Sequence, residues 1–209
     1  MACWSAENAT NAYLRTMRMG KNAKEPNGAE FISALAAGNN AQFVVVACGG
    51  TADSTTLALA AAAQQTGGRI VCILPDEQKL HTSQITLAIN ATNVEFVVGD
   101  AHELLSNTYE GFDFVAIDCN LENHEAIISE LREKVKCRNS NAIVMGYNAF
   151  CKETWRNSDL RTQLLPIGEG LLLTRTRKSK SNWVVKVDKC TGEEHVYRVR
   201  SSVGRFIRA

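Results

Sequence analysis

The chain has 209 residues, 45% of them apolar and 22% charged, with a formal net charge of +1. This is enough chain for one well-buried domain with an appendage, in an ordinary soluble composition. No apolar run approaches the ~20 residues of a bilayer span, and the opening MACWSAENATNAYLRTMRMG lacks the apolar centre of a secretory signal.

Two helices are expected first, over residues 5–19 and 29–37, the second closed by Gly38 at its C′ position. From residue 42 strand and helix alternate. Short, almost wholly apolar strands are expected over 42–48, 69–74, 94–98, 113–118 and 142–145, the pattern of strands covered on both faces. Between them the spacing predicts helices over 54–65, 78–91, 101–106 and 121–136. In the last, Leu121, His124, Ile127, Ile128, Leu131 and Val135 share a face, Glu130 and Lys134 form an i,i+4 pair, and Asn120 is the expected N-cap. Two strand pairs follow: 164–165 with 171–176 around Pro166–Gly170, then 183–187 with 195–199 around Thr191-Gly192. This order predicts an α/β fold with a doubly wound, mostly parallel, Rossmann-like sheet and an added C-terminal β-hairpin. Residues 1–178 are expected to form the α/β domain, with 179–209 as a basic hairpin extension packed on it.

The near-neutral total conceals an asymmetry. Up to Thr174 there are 13 Lys and Arg against 19 Asp and Glu; from Arg175 onward the balance is 10 against 3. Such a tail suits the solvated edge of a hairpin guarded by lysines and arginines, or a surface that meets phosphates or an acidic partner. Arg198, Arg200, Arg205 and Arg208 would be its argument for nucleic acid, but no aromatic platform or recognised motif accompanies them. The seven cysteines lie at positions 3, 48, 72, 119, 137, 151 and 190, without pairing logic, which points to a reducing compartment, cytoplasm or nucleus.

In an open α/β sheet, ligands bind beyond the carboxyl ends of the strands, near the point where strand order reverses. That rule selects Gly49, Gly50, Thr51 and Ser54 after the first strand, Asp76 after the second, Asp100 after the third and Asp118 after the fourth. Glycines let the backbone approach a ligand, and the helix start supplies unpaired N–H groups. Asp100 also fits as a helix cap. Asp118, a carboxylate ending an apolar strand, is poorly explained by packing. His81, His102, His124 and His195 share no metal-ligand spacing, and no G-x-S-x-G, H-E-x-x-H or P-loop pattern occurs.

The segments KEPNGAEFISAL, VVVACGGTADSTTLAL, GRIVCIL, VEFVVGDAHELL, FDFVAIDCN, IVMGYN and LLPIGEGLLLTRTRK carry a resemblance. In this order they resemble the caffeoyl-CoA and catechol O-methyltransferases, S-adenosylmethionine-dependent enzymes with a seven-stranded sheet. Gly168 and Gly170 match the turn between that sheet's last two strands. The opening MACWSAENATNAYL and the C-terminal hairpin are similar to a plant family of uncharacterised methyltransferase-like proteins.

The resemblance implies S-adenosylmethionine over Gly49–Ser54, with Asp76 or Asp100 as polar anchors and Asp118 deprotonating or positioning an acceptor. The chain departs from the pattern at three places. Of the family's E-x-G-x-x-x-G-Y-S only Ser54 remains; Val46, Cys48, Ala52 and Asp53 occupy the other fixed positions. Leu74 stands where the family has the acid that holds the ribose hydroxyls, a loss of about 1.5–3 kcal/mol or one to two orders of magnitude in affinity. Of the metal ligands only Asp118 matches, with Asn120, Asn148 and Ala149 at the others. A hard cation wants several charged oxygens, so no metal is expected. Two readings follow: a degenerate scaffold that binds the cofactor weakly or not at all and acts by binding or interaction, or a metal-independent methyltransferase acting on a small molecule.

Overall fold

A computed structural model describes residues 4–19, 27–87, 93–137, 142–152, 162–174, 183–187 and 194–198. The elements of the larger unit, up to Thr176, are α1 (Ala6–Met19), α2 (Gly28–Gly38), β1 (Phe43–Ala47), α3 (Ser54–Thr66), β2 (Arg69–Leu74), α4 (Glu77–Leu87), β3 (Val94–Val98), α5 (Ala101–Glu103), β4 (Phe114–Asp118), α6 (His124–Cys137), β5 (Ile143–Tyr147), β6 (Thr162–Leu165) and β7 (Leu171–Thr174). They build one seven-stranded sheet in the order β3-β2-β1-β4-β5-β7-β6, with β7 antiparallel to both neighbours. The strand order reverses between β1 and β4, so the ligand cleft of such a sheet falls at their carboxyl ends.

Successive side chains of a strand point to opposite faces, and here both faces are covered. Val44 and Val46 of β1 pack with Ile32, Leu59 and Ala63 in one buried layer. Val45 and Ala47 pack with Ile117, Ile127, Ile128 and Leu131 in the other. The alanines of α3 (Ala58, Ala60–Ala63) are all buried. Small side chains there let the helix lie close on the sheet and bring its N-terminus to the end of β1.

Several boundaries differ from expectation for identifiable reasons. Gly38 is the last helical residue of α2 rather than its left-handed C′; Asn40 takes the positive φ of 53° instead. A glycine is needed at 38 because a Cβ there would meet the Trp4 ring at 2.3 Å. Helix α6 begins at His124, not at residue 121, and Asn120 does not cap it. The Asn120 N–H turns back to the Asp118 carboxylate, and the Leu121 carbonyl receives the His124 N–H at 3.4 Å, so residues 121–123 form a turn. β5 runs two residues further than expected because Gly146 and Tyr147 pair with Leu172 and Leu171 of β7. The helix expected over 78–91 is seen to Leu87; residues 88–92 lie outside the described residues.

The short helix α5 widens into a π-turn over Leu104–Thr108, which sets Ser106 against α6. Glu130 receives Lys134 at 2.8 Å, Ser106 Oγ at 2.7 Å and the His102 imidazole. Lys134, then Ser106 and His102, hold its carboxyl down to about 2. An acid depressed in the folded state gives stability that is present above its ordinary value, near 4.5, and lost as pH falls through about 2. Glu130→Gln should therefore flatten the acid limb of Tm against pH between about 4.5 and 2. The exposed part of this interaction should shrink with added salt. An unchanged acid limb would show that the cluster contributes nothing.

The smaller unit, Arg177–Ala209, contains the antiparallel hairpin β8 (Trp183–Val187) and β9 (Glu194–Arg198), with Val185 opposite Val196. Arg200, Arg205 and Arg208 lie outside the described residues.

Candidate functional site

At the strand ends, Asp118 is the centre of a junction. Its carboxylate, only 6% exposed, accepts the Gly49 N–H at 3.1 Å, the Asn120 N–H at 3.0 Å and the Asn148 side-chain amide at 3.0 Å. It thus ties together the segments following β1, β4 and β5. Asn148 sits at φ 58°, a left-handed conformation that asparagine tolerates better than most residues. Gly49 is in close contact with the opposite segment: a Cβ on it would lie 3.1 Å from both Asn120 Cβ and the Leu121 nitrogen. The two loops that flank the cleft therefore touch where the strand order reverses.

A cavity of about 240 Å³ lies over the ends of β2 and β3, lined by Cys48, Ile73, Leu74, Pro75, Gly99, Asp100, Ala101, Leu121 and Asn123. Its walls are mixed: Ile73, Leu74, Pro75, Ala101 and Leu121 are apolar, and Asp100 and Asn123 are the polar residues with side-chain oxygens or amides. Asp100 also caps α5 by accepting the Glu103 N–H at 2.8 Å. Leu74 forms part of this wall. Asp76 is exposed, accepts the Lys79 N–H at 2.7 Å at the start of α4, and is not among the lining residues.

On the other side of the junction is a second cavity of about 70 Å³, whose lining includes Asn27, Asp53, Ser54, Asn148 and Glu169. Among the described residues the two cavities share no lining residue. Gly168, at φ 56°, shapes this side, since a Cβ there would meet Asn27 Oδ1 at 2.3 Å. Asn27 in turn caps α2 in a reciprocal box with Glu30.

The structure brings Gly49 and Asp118 together and places Ser54 on the second cavity and Asp100 on the first. Thr51 is exposed and lines neither; Gly50 has open space where a side chain would be. Asp53 was not among the expected site residues, although an Asp directly before Ser-Thr-Thr and an apolar run is an N-cap signal. It caps α3, accepting the Thr55 and Thr56 N–H groups at 2.8 and 3.4 Å. Burial pushes its carboxyl up; the two N–H donors oppose this, and the Asp118 charge adds to the rise. Ser83 of α4 was also missed: it accepts the Ala52 N–H at 2.9 Å and so anchors the first loop.

Beneath the loop, Cys48 Sγ lies 3.7 Å from Cys72 Sγ and 3.8 Å from Thr56 Oγ1, and the Tyr147 hydroxyl donates to it at 3.6 Å. The hydrogen bond to Cys48 and burial push the Cys72 thiol up, and burial pushes the Tyr147 phenol well up. Cys72 and Tyr147 thus act as neutral packing groups beneath the loop.

The family's divalent metal does not fit these residues. Asp118 is the one carboxylate at the matching positions, and both its oxygens receive N–H groups; Asn120, Asn148 and Ala149 bring no charge. Among the described residues there is no group of three or more His, Cys, Asp or Glu placed to hold a metal ion. Nor, among them, is any helix long and apolar enough to cross a membrane.

Solved structures share this architecture. The SAH-bound methyltransferase PaMTH1 of Podospora anserina matches with a TM-score of 0.57 at 12% identity, over 85% of this chain and 91% of that one. A methyltransferase from Geobacter sulfurreducens matches at 0.52 and 22%, over 81% and 89%. The O-methyltransferase TomG of Streptomyces achromogenes, from tomaymycin synthesis and solved with SAM, matches at 0.53 and 18%, over 84% and 93%. At these identities the likeness establishes the fold alone, which this chain shares with these methyltransferases. A comparison with curated proteins returns no match. Residues 1–199 match the model of a family described as Protein of unknown function (DUF1442), and the chain belongs to that family.

Proposed function

We propose that this chain is a methyltransferase-fold protein that keeps the nucleoside end of the cofactor cleft and acts by ligand binding rather than by methyl transfer. The observation that carries this is the state of Asp118. A general base must offer a lone pair to the proton that it removes. Here three of the roughly four lone-pair sites of the buried carboxylate are taken by Gly49, Asn120 and Asn148 of the same chain, so its bonding is mainly structural. The cavity of about 240 Å³ falls below the ~300–1,000 Å³ of drug-sized sites, which suits a nucleoside or a smaller ligand. Ile73, Leu74 and Leu121 in its mixed wall suit the faces of a planar base, and Asp100 can accept from an amino group at the base's edge. The basic segment from Arg175 onward, with its 10 Lys and Arg against 3 acids, is the surface we assign to an acidic protein partner.

The test is calorimetric titration with adenosine, together with a radiolabel assay of methyl transfer from S-adenosylmethionine to a panel of catechol and phenylpropanoid acceptors. Binding of adenosine, with a Tm that rises with its concentration, and no label transferred is the expected outcome. Label transferred to any acceptor by the native protein would overturn the proposal.

A further inference from the structure

We propose that the cleft selects nucleosides whose 5′ arm carries no carboxylate, preferring a neutral or cationic arm; this rests on the nucleoside reading above. S-adenosylmethionine and its demethylated product end in an amino-acid carboxylate. To extend from the larger cavity to the smaller one, that arm must pass the junction where Gly49 meets Asn120 and Asp118. Beyond it, a carboxylate would need donors. The N–H groups that a helix start offers an anion are those of its first turn. In α3 two of the first three, those of Thr55 and Thr56, are already taken by the chain's own Asp53.

The charges there are also unfavourable. The residues lining the second cavity include two acids, Asp53 and Glu169, against the neutral polar Asn27, Ser54, Thr55 and Asn148 and, among the described residues, no lysine or arginine. The negative charge of Asp118 already acts on Asp53. A ligand carboxylate would be desolvated against like charges, whereas an ammonium would find acceptors. An internal carboxylate thus occupies the place of the ligand's, while the nucleoside cavity on the other side is unaffected.

The experiment titrates the full chain with three ligands that share the adenosine moiety: neutral 5′-methylthioadenosine, S-adenosylhomocysteine, and S-adenosyl-3-thiopropylamine, which is the homocysteine compound without its carboxylate. The amine should bind about tenfold or more tighter than S-adenosylhomocysteine. Asp53→Asn keeps a good N-cap. It should tighten S-adenosylhomocysteine about tenfold and leave methylthioadenosine unchanged. If S-adenosylhomocysteine binds as tightly as the amine while methylthioadenosine also binds, the carboxylate inference fails and the nucleoside reading stands. If none of the three binds, both fail. The three-ligand comparison needs only the native protein, so it decides the matter even if the variant folds poorly.

Discussion

Asp118→Ala is expected to lower the stability of the protein by about 3 kcal/mol, shifting its urea midpoint with little change in slope. The carboxylate is buried and receives three N–H groups from three different loops. Removing it leaves those donors without their charged acceptor, and each buried donor so stranded costs about 1–3 kcal/mol. Partial access of water to Gly49 and Asn120 holds the total at the lower end. For a chain of this size the loss corresponds to a Tm shift of roughly 6–12 °C. Asp118→Asn keeps one acceptor oxygen, which can still serve Asn120 and Asn148, but its amide cannot accept from Gly49. It should therefore fall between the native protein and the alanine variant. A catalytic carboxylate held in an unfavourable setting behaves in the opposite way, because its removal relieves strain. A neutral or stabilised alanine variant would thus refute the latch role of Asp118.

The second large effect is expected from Leu74→Asp. Leu74 ends β2, is fully buried, pairs in register with Val98 and forms part of the wall of the larger cavity. An aspartate there loses the apolar burial and places an unpaired carboxylate at the cavity edge, at a cost of about 3 kcal/mol in the free protein. A ribose brings two vicinal hydroxyls that can both donate to that carboxylate. Adenosine should therefore bind the variant roughly tenfold tighter than the native chain, since charged hydrogen bonds contribute about 1.5–3 kcal/mol each. It should also restore much of the lost Tm, whereas 2′-deoxyadenosine, with one hydroxyl fewer, should restore clearly less. Thermal unfolding at matched concentrations of the two nucleosides reads this directly. Equal rescue by both would mean that the ribose does not lie over β2, and the placement of the nucleoside would have to be abandoned.

Both predictions concern groups that the sequence picked out but could not orient. The apolar runs FVVVA, RIVCIL and FVAID, buried on both faces, and the helices between them are sufficient for a doubly wound sheet, because burial periodicity is a local property. The turn glycines Gly168 and Gly170 and the Glu130–Lys134 pair were legible for the same reason: each depends on residues a few positions apart. The ends of the elements were less so. Tyr147 stays in β5 because a strand from much later in the chain pairs with it. The turn before α6 exists because Asp118 takes up the Asn120 N–H.

The sequence by itself determined the fold class and the strand-end positions where a ligand is expected, and its resemblance implied the loss of charged groups at Val46, Leu74 and Asn148. Only the tertiary structure decided what the remaining carboxylates do. Asp76 caps a helix on the exposed side, Asp53 fills the start of α3, and Asp118 holds three loops together. The reason is physical. A carboxylate binds whichever donors the sheet order brings near it, and the Gly49 N–H that Asp118 accepts comes from 69 positions away in the chain. Spacing along the sequence carries no record of that encounter; the adjacency of β1 and β4 creates it.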